Sequence, residues 1–271
     1  MKRIASLMLA ALMLISLVAL CSCEKEDDTF TICTNAEFPP FEYVLGDQVA
    51  GVDIDIAQAI ADELGQKLEV KNVKFDTIIG AVKSGKCDMG IAGMTVTDER
   101  MEEVDFSVSY ITSTQYIVTA KDVEVTSIMD LAGKKIGVQT GTTGDFIISD
   151  ETSLLEDEEG NAIEGVIYNT GAEVLRYNSA IEAGMALASG KIDAVVVDKL
   201  PAQNIATTQD LVAVELVYED GSNTEESYAA CVQKGNTELL ETINKVMQKL
   251  IDEGKIDEFV INHTANTTIT E

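Results

Sequence analysis

Arg100 is the only arginine between Arg3 and residue 170, and it closes the run Ile91-Ala92-Gly93-Met94-Thr95-Val96-Thr97-Asp98-Glu99-Arg100. An apolar stretch stops at Gly93, hydroxyls follow at Thr95 and Thr97, and Asp98 and Glu99 open a helical turn that carries the guanidinium. A strand that ends at glycine exposes backbone amides, and hydroxyls with an arginine just beyond it grip a small anion from several sides. The run therefore reads as a carboxylate site; a threonine-capped surface turn with Arg100 paired to Glu102 or Glu103 is the alternative. A second anion-suited stretch is Gln139-Thr140-Gly141-Thr142-Thr143-Gly144, between a strand at 136–138 and an apolar run at 146–148. It lacks the Gly-Lys-Ser/Thr ending of a nucleotide-binding loop, and a plain strand-to-helix turn is its other reading. Asp198, at the end of the strand 194–197, either caps the helix that follows or offers a carboxylate.

The elements that must position these groups come in two similar sets. Ser84-Gly85-Lys86-Cys87-Asp88 leads into a strand at 89–94, and Ser189-Gly190-Lys191-Ile192-Asp193 leads into the strand at 194–197. Five residues beyond the aspartate stand Gly93 in one copy and Asp198 in the other. Two such copies predict two α/β lobes, with ligand bound beyond the carboxyl ends of the strands, so that Thr95 and Asp198 face each other. Gly51-Val52-Asp53-Ile54-Asp55 opens an amphipathic helix with Ile54, Ala57, Ala61 and Leu64 on one face and Gly65 as its stop. A strand at 68–73 and a helix capped by Asp76 and burying Ile78, Ile79 and Val82 follow. Pro39-Pro40 between Phe38 and Phe41 holds those rings on an extended wall. The Ser/Thr/Tyr-rich segment between 107 and 115 has no helical period and is a candidate interlobe crossing. Residues 149–165 read as an acidic surface insertion, 237–251 as a helix, and the chain from 264 as frayed.

Lys2 and Arg3 precede an uncharged apolar run at 4–20, followed by Leu20-Cys21-Ser22-Cys23, the parts of an export signal. Leu20, Ser22 and Cys23 resemble a lipoprotein box that makes Cys23 the lipid-bearing first residue. Glu24-Lys25-Glu26-Asp27-Asp28 is then a solvated tether. The net charge is −28, and loss of the positive Lys2 and Arg3 leaves the mature chain at −30, which disfavours nucleic acid and anionic lipid headgroups as partners. No metal-ligand cluster or cofactor motif is present, and the lone histidine, His263, falls in the polar C-terminal tail. Cys33, Cys87 and Cys231 sit in apolar runs and read as buried thiols, with a single bridge such as Cys33 to Cys87 left open.

Six segments in order then carry a specific resemblance over residues 28–263: Asn35 to Tyr43 (Asn-Ala-Glu-Phe-Pro-Pro-Phe-Glu-Tyr), Gly51-Val52-Asp53-Ile54-Asp55-Ile56-Ala57, Ala92 to Arg100, Val104-Asp105-Phe106-Ser107, Gly137 to Gly144, and Asp193-Ala194-Val195-Val196-Val197-Asp198. Together they are similar to the family 3 extracellular solute-binding proteins, the amino-acid receptors of bacterial ABC importers. Val52 departs from the bulkier residue usual there, outside the expected pocket. The resemblance implies an α/β, two-lobed periplasmic-binding-protein fold of type 2, with two hinge strands and a ligand cleft between the lobes. With the signal peptide read at 1–22 and the tether at 23–29, it implies lobe 1 at 30–112 and 227–265 and lobe 2 at 113–226, before a frayed tail at 266–271. It implies that Arg100, Thr95 and the Thr143 amide hold the ligand carboxylate, and that Asp198 and the Gly93 carbonyl hold its ammonium. Phe38 and Phe75 would sandwich the side chain. Asn35 and Gln139 line its pocket and favour a polar side chain, while Glu37, if it points inward, favours a basic one. Implied partners are a free amino acid, the permease subunits and the membrane through the lipid anchor, with the protein a monomer and no cofactor. A zwitterion in a desolvated cleft independently needs one opposite charge at each end. Two other classes compete. A dehydratase on the same scaffold needs a general acid, for which Glu37 is the one loose candidate; a sensory module needs a signalling segment that the sequence does not display.

Overall fold

The computed structural model describes residues 29–149, 170–218 and 221–268. The export signal, Cys23, most of the tether and almost all of the acidic insertion lie outside the described residues. Two five-stranded sheets form the centres of two lobes. In lobe 1 the strands are β1 (Thr29–Thr34), β5 (Lys67–Asn72), β6 (Met89–Gly90), β7 (Val104–Phe106) and β15 (Cys231–Gln233), in the order β5-β1-β6-β15-β7. In lobe 2 they are β9 (Gln115–Thr119), β10 (Lys135–Gln139), β11 (Glu173–Tyr177), β12 (Ala194–Asp198) and β13 (Val212–Glu215), in the order β11-β10-β12-β9-β13. In each sheet four strands run one way and one runs against them, β15 in lobe 1 and β9 in lobe 2. β6 and β12 occupy the same central place, where the sequence repeat puts them.

The repeat has a bonding reason. Asp88 Oδ2 accepts from the Thr31 amide at 2.8 Å, and Asp193 Oδ2 accepts from the Lys135 amide at 2.8 Å. Each aspartate thereby ties the start of its central strand to the neighbouring parallel strand. The helices before them, α2 (Ile78–Lys83) and α5 (Ala180–Ala188), both end at a glycine of φ +71° (Gly85 and Gly190), a conformation that favours residues without a Cβ.

The lobes are joined by an antiparallel ribbon of β8 (Ile111–Ser113) and β14 (Glu226–Tyr228), with Ser113 opposite Glu226 and Ile111 opposite Tyr228. A small sheet of β2 (Glu37–Phe38), β3 (Glu42–Leu45) and β4 (Gln48–Ala50) leads into α1 (Val52–Leu64). That helix buries Val52, Ile56, Ala57, Ile60 and Ala61; each buried isoleucine contributes roughly 2–3 kcal/mol. On the other face of the lobe 1 sheet, Ile78 and Val82 of α2 pack with Met94, Val104 and Cys231. Lobe 2 is completed by α4 (Thr143–Ile148) and α6 (Lys199–Thr208), and the chain ends in α7 (Thr237–Asp252) and α8 (Lys255–Thr268).

Three local expectations are corrected. The run at 89–94 forms sheet only at Met89–Gly90, because Gly93 turns the chain at φ +51°. Cys33 at the end of β1 and Cys87 just before β6 are disulfide-bonded, with Cα atoms 5.7 Å apart. The sequence leaves that bridge open, because residues 54 apart meet only through the alignment of β1 with β6, and the bond suits an oxidising compartment. Cys231 is the free cysteine among the described residues; burial pushes its thiol up to about 12, which keeps it protonated and unreactive. Finally, the polar stretch from Thr264 continues α8 as far as Thr268. His263 is buried in that helix, its Nδ1 3.0 Å from the Tyr43 hydroxyl and its Nε2 3.0 Å from Asp55, and these contacts hold the helix down despite its polarity.

Candidate ligand-binding site

Arg100 owes its position to α3 (Asp98–Glu103), which Thr97 caps by accepting from the Arg100 amide at 3.2 Å. The side chain is buried. Its Nη1 donates to the Thr95 carbonyl at 2.6 Å, its Nη2 donates across the cleft to the Gly141 carbonyl at 3.0 Å, and its Cζ lies 5.4 Å from the centre of the Phe75 ring. Glu103 pairs instead with Lys83. The guanidinium is thus held by neutral carbonyls and an aromatic face, and its charge is not spent on a carboxylate partner. Burial pulls its pKa down, opposed first by the charge of Glu226.

Asp198, buried at the end of β12, stands at the N-cap position of α6 without making a capping bond. Its Oδ2 accepts from the Tyr228 hydroxyl on the ribbon. Burial, and then the charge of Glu226, push its pKa well up. Glu226 itself accepts from Thr95 Oγ1 and from Gln115 Nε2, both at 2.6 Å. The ribbon therefore anchors one site group from each lobe.

Between the lobes lies a small cavity, part of it open to solvent. Asn35, Phe38, Glu42, Phe75, Ala92, Gly93, Thr95 and Arg100 line it from lobe 1, and Gln139, Thr142, Thr143 and Asp198 from lobe 2. Every residue anticipated for the pocket is in this wall except Glu37, which is half-buried on β2 and does not line it. Across the cleft Thr143 Oγ1 meets Thr95 Oγ1 at 3.1 Å, and Gln139 Nε2 donates to Asn35 Oδ1 at 2.9 Å. Asn35 Nδ2 donates to the Val73 carbonyl at 2.9 Å, so the two amides are largely committed to each other and to the backbone. Gly93 is tied by its amide to Asp53 Oδ2 at 2.7 Å, and a Cβ there would come within 2.9 Å of the Phe38 ring.

The residue that sequence reasoning missed is Glu42. It is completely buried on β3, and neither carboxylate oxygen accepts from an N–H or hydroxyl donor; its neighbour is the Asp53 carboxyl. Burial, and then the charge of Asp53, push its pKa well up. A charged residue set among Pro39, Pro40, Phe41 and Tyr43 was the available signal. Asp53 behind it is also buried but satisfied, accepting from the Gly93 amide and, at 2.8 Å, from the Tyr110 hydroxyl; burial raises it to about 6. Among the described residues no cluster of His, Cys, Asp and Glu has the arrangement of a metal site.

Two sheets of matching order, an antiparallel ribbon joining them and a cleft carrying one cation and one anion from opposite lobes define a type 2 periplasmic binding protein. The model of the bacterial extracellular solute-binding proteins, family 3, matches residues 30–264, and the chain belongs to that family. It is 32% identical over 263 residues to an L-arginine-binding protein of Pseudomonas aeruginosa, covering 94% of this chain and 93% of that one. The structure of AbpA, an amino acid ABC transporter substrate-binding protein from Streptococcus pneumoniae bound to L-arginine, matches with a TM-score of 0.78 and 30% identity, over 91% of this chain and 98% of that chain. An ancestral amino-acid-binding protein, AncCDT-1, a precursor of cyclohexadienyl dehydratase, matches with a TM-score of 0.73 and 30% identity, over 88% and 96%.

Proposed function

We propose that this protein captures an L-α-amino acid with a cationic side chain between its lobes and delivers it, as a monomer, to the permease of an ABC importer. Arg100 forms a bidentate pair with the ligand carboxylate, helped by the Thr95 hydroxyl and the Thr143 amide. Asp198 and the Gly93 carbonyl receive the ammonium, Phe38 and Phe75 flank the side chain, and Asn35 with Gln139 forms a polar end wall. A ligand gripped from both sides holds the lobes shut, the hinge closure of periplasmic binding proteins.

The observation that carries the side-chain choice is the buried, unpartnered Glu42 in the wall. Arg100 and Asp198 match the two charges of the zwitterion, which leaves one carboxylate over. Ionising a buried carboxyl without a partner is costly, and a side chain bearing N–H donors on a cation supplies the partner. The neutral polar side chain favoured by Asn35 and Gln139 alone does not. The arginine-binding relatives support the same choice. In a thermal-shift screen of the tether-free protein against the common amino acids, arginine or another cationic amino acid is expected to give the largest rise. A ligand at 100 times its Kd adds about 2.7 kcal/mol, and a largest rise from a neutral or acidic amino acid would refute the reading. Glu42 is also the acid that a dehydratase would need, so turnover of prephenate or arogenate would replace the receptor reading with an enzymatic one.

We further propose an extracytoplasmic site of action with a lipid anchor at Cys23, supported by the basic start, the apolar run and the box Leu20-Cys21-Ser22-Cys23. Cys23→Ser is expected to move the protein from the membrane fraction to the soluble fraction, and a variant that still sediments with membranes would remove the anchor.

A further inference from the structure

We infer that the ligand-free pocket stores one proton on the Glu42 and Asp53 carboxyl pair, and that a cationic ligand side chain displaces it on binding. The inference rests on the cationic-ligand reading above and adds to it an exchange of proton for ligand charge. The two carboxyls are completely buried neighbours. Asp53 has a donor on each oxygen, the Gly93 amide on Oδ2 and the Tyr110 hydroxyl on Oδ1, and this set stabilises its ionised form. Glu42 has no donor on either oxygen. The charged groups that face it are Asp53 from α1 and Asp198 from β12, with Arg100 in the same cavity wall. Two adjoining buried carboxyls do not both ionise without a counter-charge. The proton therefore sits on Glu42, where its O–H meets an acceptor on Asp53.

A ligand cation supplies N–H donors to Glu42 and makes the proton redundant. The Glu42 O–H bond breaks, the proton passes to solvent, and N–H···O bonds take its place. The local charge is the same before and after, because one positive charge leaves as another enters. Burial raises both carboxyls, Asp53 to about 6 and Glu42 well above the usual range, the direction that a proton shared by the pair requires. Because the free pocket holds the proton and the liganded pocket does not, affinity for the cation rises with pH, by up to tenfold per unit. The ammonium of every amino acid meets Asp198 whatever its side chain, so the Glu42 contribution is isolated by substitution at Glu42.

The test is calorimetry of L-arginine binding to wild type and Glu42→Gln, in two buffers of different ionisation heat and between pH 6 and 7. The wild type is expected to release one proton more per arginine than the variant. Its affinity is expected to rise several-fold across the range, against a flatter profile for a variant that binds at least tenfold more weakly. Equal proton release by both proteins overturns the inference. Wild type that gives no arginine heat sinks the cationic-ligand reading instead. Where the variant binds too weakly to titrate, infrared difference spectra decide: the protonated-carboxyl C=O band of ligand-free wild type should vanish with arginine and be absent from ligand-free Glu42→Gln. A wild-type band that arginine leaves unchanged overturns the inference.

Discussion

Arg100→Ala is expected to lose amino-acid binding while the protein stays folded. Arg100 is the cation of the cavity wall, and the ligand carboxylate would be desolvated against it. Truncating one partner of a buried, hydrogen-bonded charge pair costs about 2–5 kcal/mol or more, a loss of roughly 30-fold to several thousand-fold in affinity. The variant also loses the bonds to the Thr95 and Gly141 carbonyls, the second of which crosses the cleft, so the closed arrangement weakens together with ligand affinity. Arg100→Lys keeps the charge but not the planar fork, and its affinity should fall between the two. Calorimetry alongside circular dichroism measures both effects, and unchanged affinity in a folded Ala variant would dismantle the site.

Asp198→Asn is expected to have the next largest effect, a loss of at least about 30-fold on the same scale. Asparagine preserves the shape and an acceptor for the Tyr228 hydroxyl, so the substitution removes charge with little packing change. The ligand-free protein should be as stable as wild type or more so. The sign follows from the shift: Asp198 is raised by burial and by Glu226, so its carboxyl costs stability as pH rises above the unfolded pKa, and asparagine escapes that cost. A capping role predicts the opposite pattern, lower stability with binding retained. A desamino ligand analogue should bind wild type weakly and gain nothing further from the substitution; an analogue as tight as the parent amino acid would remove Asp198 from the ammonium role.

Much of this site was legible because its parts are local patterns. Arg100 follows Thr97 by the three positions that an N-cap requires, and Thr97 does cap that helix. The repeated Gly-Lys-x-Asp ending reflects one hydrogen bond made twice, at Asp88 and Asp193. It placed β6 and β12 as equivalent strands and so brought Asp198 opposite Thr95. Glu37 and Glu42 show where such reasoning stops. Both lie in one short acidic-aromatic segment, and which of them lines the cavity depends on the pairing of β2 with β3. His263 in a polar helix gave no local sign of burial, because its partners Tyr43 and Asp55 are 220 and 208 residues away.

By itself, then, the sequence pointed to two α/β lobes through its repeated helix-to-strand turn, and its six ordered segments carried the resemblance to the family, which in turn implied the roles of Arg100 and Asp198. Only the tertiary structure decided that Cys33 bonds Cys87, that Asn35 and Gln139 bond each other, and that Glu42 is left in the wall without a donor. Each of these depends on which distant atoms meet and on how little water reaches them, and burial is what pushes the pKa of an ordinary glutamate well up.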